Sequence, residues 1–149
     1  ALDIDPGSVT LYVRLQTKGH AAYELSKKFG AGPSHAVELL QRVERLGYKA
    51  GLCFHVGSQI EDPETYDAAL KVAKQVRDSS GVKLAGLDIG GGFPAEYGHD
   101  PKRAHAEMPS LPQLMTRVSR DIDAWGFNDL PLIAEPTDDW DRRSRRRRY

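Results

Sequence analysis

Four short apolar runs punctuate this chain, and between them the apolar positions fall into helical spacing. Ser8–Gln16 is rich in β-branched and aromatic residues and predicts a strand. Lys49–Val56 is almost continuously apolar, the pattern of a strand buried on both faces. Lys83–Ile89 predicts a third strand and Leu130–Glu135 a fourth. Ala36, Val37, Leu39, Leu40, Val43 and Leu46 keep helical spacing, with Ser34 as the expected N-cap and Gly47 as the stop. Tyr66, Ala69, Leu70, Ala73 and Val76 form the stripe of a second helix, opened by Asp62 as N-cap with Pro63 at the first helical position. Ser110 opens a third helix through Leu111, Leu114, Met115, Val118, Ile122 and Trp125. Thr17–Pro33 reads as a loop broken by Gly19, Gly30, Gly32 and Pro33. Gly90–Pro109 reads as a loop long for its place, expected to be mobile or to cover a site.

Strands alternating with helices predict an α/β fold with a parallel sheet of βα units. Four such units make about half of a (β/α)8 barrel, so the expectation is a partial barrel with two open sheet edges, an internal fragment of a larger protein. In such a sheet the polar residues at the carboxyl ends of strands share the face where ligands bind. Here those residues are His55 with Ser58, then Asp88, then Glu135.

Composition narrows the class. The chain has 149 residues, 40% of them hydrophobic, enough for one domain with a core. No apolar run approaches membrane-spanning length, which predicts a soluble protein with no membrane partner. Ala1-Leu2-Asp3-Ile4-Asp5 is short and acidic, unlike a signal peptide. A single cysteine, Cys53, excludes an internal disulfide and fits a reducing cytoplasm; within an apolar strand it reads as a small core residue, not a nucleophile. The net charge of zero hides an asymmetry. Residues 141–149 contain six arginines and one aspartate, and the remainder carries 15 basic against 20 acidic residues, a net of −5. That body is not composed for nucleic-acid binding. The tail from residue 137 to 149 lacks an apolar face and is expected to be a disordered end, separate from a domain spanning residues 1–136.

The candidate chemistry centres on Leu87-Asp88-Ile89-Gly90-Gly91-Gly92-Phe93-Pro94. Three glycines remove every Cβ from one loop, allow φ > 0 and let an anion approach backbone N–H groups. A glycine-rich turn without a ligand has the same composition. The neighbouring motifs favour the phosphate cradle.

Together with His55-Val56-Gly57-Ser58, Ala134-Glu135-Pro136 and Lys28-Phe29-Gly30, that loop resembles the fold-type III pyridoxal-phosphate decarboxylases acting on ornithine, diaminopimelate and arginine. The Phe-His-Val-Gly-Ser wording and the Phe after the glycines are most similar to the ornithine decarboxylase branch. The resemblance runs from about residue 8 to Pro136. It implies a partial alanine-racemase-like barrel that binds pyridoxal 5'-phosphate, with no metal. It also implies an amino-acid substrate (ornithine to putrescine, as in polyamine biosynthesis) and a homodimeric parent. By position it assigns the phosphate to Gly90, Gly91, Gly92 and Ser58, and ring stacking to His55. It assigns the pyridine nitrogen to Glu135 and a place near the site to Arg14.

Two departures count against activity of these residues alone. The family continues Glu-Pro as Glu-Pro-Gly-Arg, whereas Thr137 and Asp138 follow Pro136, and an aspartate repels a phosphate dianion. No residue matches the lysine that links covalently to the cofactor; Lys27 and Lys28 belong to another motif. A non-catalytic regulatory or binding relative is therefore the alternative expectation. A phosphate-site barrel of unrelated chemistry is disfavoured, since a bare phosphate site needs neither His55 nor Glu135.

Overall fold

Residues 5–17, 29–57, 60, 62–93 and 110–135 are described by a computed structural model of the chain. The element order is β1 (Thr10–Leu15), α1 (Pro33–Arg45), β2 (Lys49–Phe54), α2 (Glu64–Ser80), β3 (Leu84–Asp88), α3 (Leu111–Ala124) and β4 (Leu132–Ile133), with a 3-10 turn at Pro6–Ser8 before β1. All four strands are parallel and lie in chain order β1-β2-β3-β4. Parallel neighbours joined by same-handed crossovers put the helices on one face, the arrangement of one arc of a (β/α)8 barrel.

Side-chain alternation assigns the two faces. Val13 and Leu15 of β1, Ala50, Leu52 and Phe54 of β2, and Leu84 and Leu87 of β3 are buried against the helices. The helices answer with Ala36 and Leu40, with Tyr66, Ala69, Leu70, Ala73 and Val76, and with Leu114, Val118 and Ile122. The opposite face carries Tyr12, Arg14, Gly51, Cys53, Gly86 and Asp88, the positions that in a closed barrel point inward. Gly51 and Gly86 leave the room that Tyr12 fills, because a Cβ at Gly51 would lie 2.6 Å from the Tyr12 ring and one at Gly86 2.5 Å from its hydroxyl.

Several boundaries differ from those the pattern predicts. Pro33 is the first residue of α1 rather than a loop breaker, and Gly32, not Ser34, is the N-cap; proline is tolerated there because its missing N–H would be unpaired anyway. Helix α2 begins at Glu64, one residue later than expected, with Pro63 and not Asp62 at the N-cap; Asp62, one residue further out, accepts from the Glu64 N–H through Oδ1 at 2.9 Å. Ser110 caps α3 as expected, donating from its N–H and its hydroxyl to Gln113 Oε1 at 2.9 Å each. The fourth strand is two residues long, and Leu132 and Ile133 are 45% and 42% exposed. Cys53 is half-buried on the inward face and not in the core. Ser58, most of the loop after the glycines, Pro136 and the arginine-rich tail lie outside the described residues.

Candidate functional site

The parallel register fixes what stands beside what. Arg14 pairs with Cys53, Cys53 with Asp88, and Asp88 with Ile133, one row across the inward face near the carboxyl end of the sheet. His55 follows Cys53 by two residues, on the same face, and Glu135 follows Ile133 by two. Arg14, His55 and Glu135 are thus brought together with the glycine loop that begins where β3 ends. Ser58 lies outside the described residues.

The loop is built so that only glycine fits. Gly90 and Gly92 have φ of 67° and 99°, the left-handed region. A Cβ at Gly90 would strike the Phe54 carbonyl, and one at Gly92 the Gly57 carbonyl. Gly91 has ordinary φ, but its Cβ would lie 2.5 Å from the Glu135 carbonyl oxygen. The close approach ties the ends of β2, β3 and β4 into one knot.

Hydrogen bonds then set the loop's direction. The Gly90 N–H donates to Asp88 Oδ1 at 2.8 Å, and the Gly91 N–H to His55 Nδ1 at 3.2 Å. Asp88 therefore orients the loop, as its place before the glycines suggests. The three glycine carbonyls accept in turn from the Glu135 N–H at 2.8 Å, the Tyr66 hydroxyl at 3.0 Å and the Ile60 N–H at 2.9 Å. Among the described residues the N–H groups of Gly92 and Phe93 meet no acceptor. Among the described residues, the loop's candidate donors to an anion are therefore Gly92 and its neighbour Phe93, a narrower set than the whole triplet.

The electrostatics follow from the same packing. Burial, then the nearby Arg14 charge, holds the His55 imidazole below its ordinary value, so the ring is neutral with its proton on Nε2 while Nδ1 accepts. Burial first, and then Asp88, pushes the Cys53 thiol up to about 11, which keeps it protonated and unreactive. Arg14 sits on the inward face with its guanidinium 5.5 Å from the Phe29 ring centroid, within cation–π range. The Thr17 hydroxyl donates to the His55 carbonyl at 3.1 Å and anchors β1 to the end of β2. Glu135 is exposed, with its backbone locked to Gly90.

Tyr66, Thr17 and Cys53 are site neighbours that pattern reading does not single out. Cys53 could have been found from its place two residues before His55, which puts both on one face of the strand. Tyr66 carried only the signal of a buried helical stripe.

Residues 3–137 match the family model described as pyridoxal-dependent decarboxylase, pyridoxal binding domain. The chain belongs to this family. A lysine/ornithine decarboxylase of Selenomonas ruminantium is 36% identical over 136 residues, covering 88% of this chain and 33% of that protein. The ornithine decarboxylase of Mus musculus is 39% identical over 133 residues, covering 85% of this chain and 27% of that protein. Among solved structures, an SrLDC mutant in complex with PLP superposes with a TM-score of 0.74 at 36% identity, covering 88% of this chain and 33% of that one. The chain thus spans about a third of the length of these decarboxylases. The four-stranded parallel sheet is a segment of their barrel fold, and the two conspicuous motifs, around His55 and around the glycines, lie within the pyridoxal-binding region.

Proposed function

We propose that these residues form part of the cofactor-binding barrel of a pyridoxal-phosphate-dependent decarboxylase acting on a basic amino acid, ornithine to putrescine in the first instance. The observation that supports this most is the convergence of Arg14, His55, Asp88 and Glu135 on one face of the sheet, beside a loop whose three glycines each occupy a position that a Cβ would block. The residues fit the group: a flat imidazole for a flat ring, a carboxylate, and backbone donors at a strand's carboxyl end. The homodimeric parent and the cytoplasmic setting belong to this same reading.

When bound, the cofactor supplies an electron sink for the pair released as carbon dioxide leaves. Each residue then has a task that follows from its chemistry. Gly92 and Phe93 would offer N–H groups to the phosphate, and the family resemblance adds the Ser58 hydroxyl to that task. His55, held neutral, would offer a flat face to the ring and keep water from it. Glu135 would favour a proton on the pyridine nitrogen, since a carboxylate nearby stabilises the cationic form. Arg14 places positive charge on the inward face, where the anionic group is to sit.

The 149 residues by themselves are expected to bind the cofactor weakly and reversibly, without a covalent link, and to release no carbon dioxide from ornithine, lysine or diaminopimelate. A spectrophotometric titration with pyridoxal phosphate, followed by borohydride treatment and mass analysis, tests this. Reversible, saturable binding supports the reading. A stoichiometric reduced adduct on one lysine, or saturable carbon dioxide release, contradicts the expectation of an inactive segment. A second reading, a non-catalytic binding or regulatory relative, draws on Asp138 standing where the family has a phosphate-binding arginine.

A further inference from the structure

Tyr66 lies in the buried stripe of α2 and is fully enclosed, a place where phenylalanine would satisfy packing alone. Its ring stacks on Phe93 with centroids 5.8 Å apart and planes 14° from parallel. Its hydroxyl donates to the Gly91 carbonyl at 3.0 Å, and among the described residues nothing else donates to that oxygen. Burial pushes the phenol up from its ordinary value, so it stays a donor at any working pH.

In a trans peptide the carbonyl and the following N–H point in opposite directions, and the described residues contain no cis bond. Whatever holds the Gly91 carbonyl therefore aims the Gly92 N–H. The flanking peptides are held by backbone donors, the Gly90 carbonyl by Glu135 and the Gly92 carbonyl by Ile60. Of the three glycine carbonyls, the central one alone accepts from a side chain. Glycine has φ freedom on both sides of this peptide, so without a donor the plane can rotate.

We propose that Tyr66 is a positioning residue of the anion site: its hydroxyl holds the Gly91–Gly92 peptide so that the Gly92 N–H faces away from α2, toward the bound phosphate. This rests on reading the loop as the cofactor's phosphate site. Tyr66 acts through the peptide and does not touch the ligand. Removing the hydroxyl leaves the buried Gly91 carbonyl without a donor among the described residues and lets the peptide turn.

The test is Tyr66→Phe, which keeps the ring and its stacking on Phe93. Three probes are titrated into the 149-residue chain and the variant: pyridoxal phosphate, inorganic phosphate, and pyridoxal, which lacks the phosphate. The expected result is affinity for the two phosphate-bearing probes weakened about 3- to 10-fold, with pyridoxal unchanged. Unchanged phosphate affinity in the variant overturns this inference and leaves the phosphate-site reading intact. An equal loss for pyridoxal shows a merely structural role and overturns it too. A wild-type chain that binds neither phosphate probe overturns both. Should the variant not fold, the wild type still decides by nuclear magnetic resonance. Phosphate is expected to shift the Gly91 carbonyl carbon and the Gly92 amide together, and no movement of either contradicts the proposal.

Discussion

Gly92 combines a φ of 99° with a Cβ direction that runs into the Gly57 carbonyl. Gly92→Ala is therefore expected to lower stability by about 1–3 kcal/mol, read from the denaturant midpoint. His55 gives a pH dependence of definite sign. Its folded-state value lies below the ordinary 6.5, so between the two the unfolded chain binds more protons. Its contribution to stability is present above 6.5 and is lost as pH falls through the lower folded value, with the Gly91 N–H losing its acceptor. Denaturation at neutral pH and at mildly acid pH should show this loss in the wild type and a smaller one in His55→Gln. At Cys53 the thiol at about 11 predicts slow alkylation in the folded chain and fast alkylation once denatured. The chemistry of His55, Asp88 and the glycines is legible in sequence because each sits at a strand's end beside a turn signal. Tyr66 is not, because its partner Gly91 lies 25 residues away and its own neighbourhood reads as core.

The elements were largely announced by their periodicity. The stripe of α2 is buried at every position the spacing names, from Tyr66 to Val76. Pro33 misleads because proline is both a loop residue and a favoured first helical residue, and only the geometry of Gly32 distinguishes the two. The expected strand at Leu130–Glu135 shrinks to two residues by hydrogen-bond pattern, although Pro131 and Glu135 still bond to β3 and its loop. A clamp that periodicity cannot show joins α2 to the turn after α3. The Arg77 guanidinium donates to the Gly126 carbonyl at 2.7 Å and lies 4.4 Å from the Phe127 ring centroid. Arg77→Met keeps much of the aliphatic bulk but removes the charge-assisted bond and the cation–π contact. It is expected to lower stability by about 1–3 kcal/mol in the same denaturation assay.

At the scale of the molecule, the described residues form an arc of four parallel strands with no further strand on either rim. Among the described residues only Ala31 meets the outer rim of β1, through the Arg14 carbonyl and the Gln16 N–H, and no strand pairs with the outer rim of β4. Beside β4 a cavity of about 290 Å³ lies between α3 and the sheet, lined by Met115, Val118, Ile122, Leu132 and Ile133 among others. Open rims and exposed apolar side chains favour association. The 149-residue chain is expected to sediment with a mass that rises with concentration, and a monomer at all concentrations contradicts this. The central claim is that the glycine loop and the inward face together form a cofactor site. Amide and imidazole resonances followed during titration with pyridoxal phosphate test it most directly. The account predicts saturable shifts concentrated at Gly92, Phe93 and the His55 ring, reversed by dilution. Saturable shifts confined to other surfaces, or none at these residues, would contradict it.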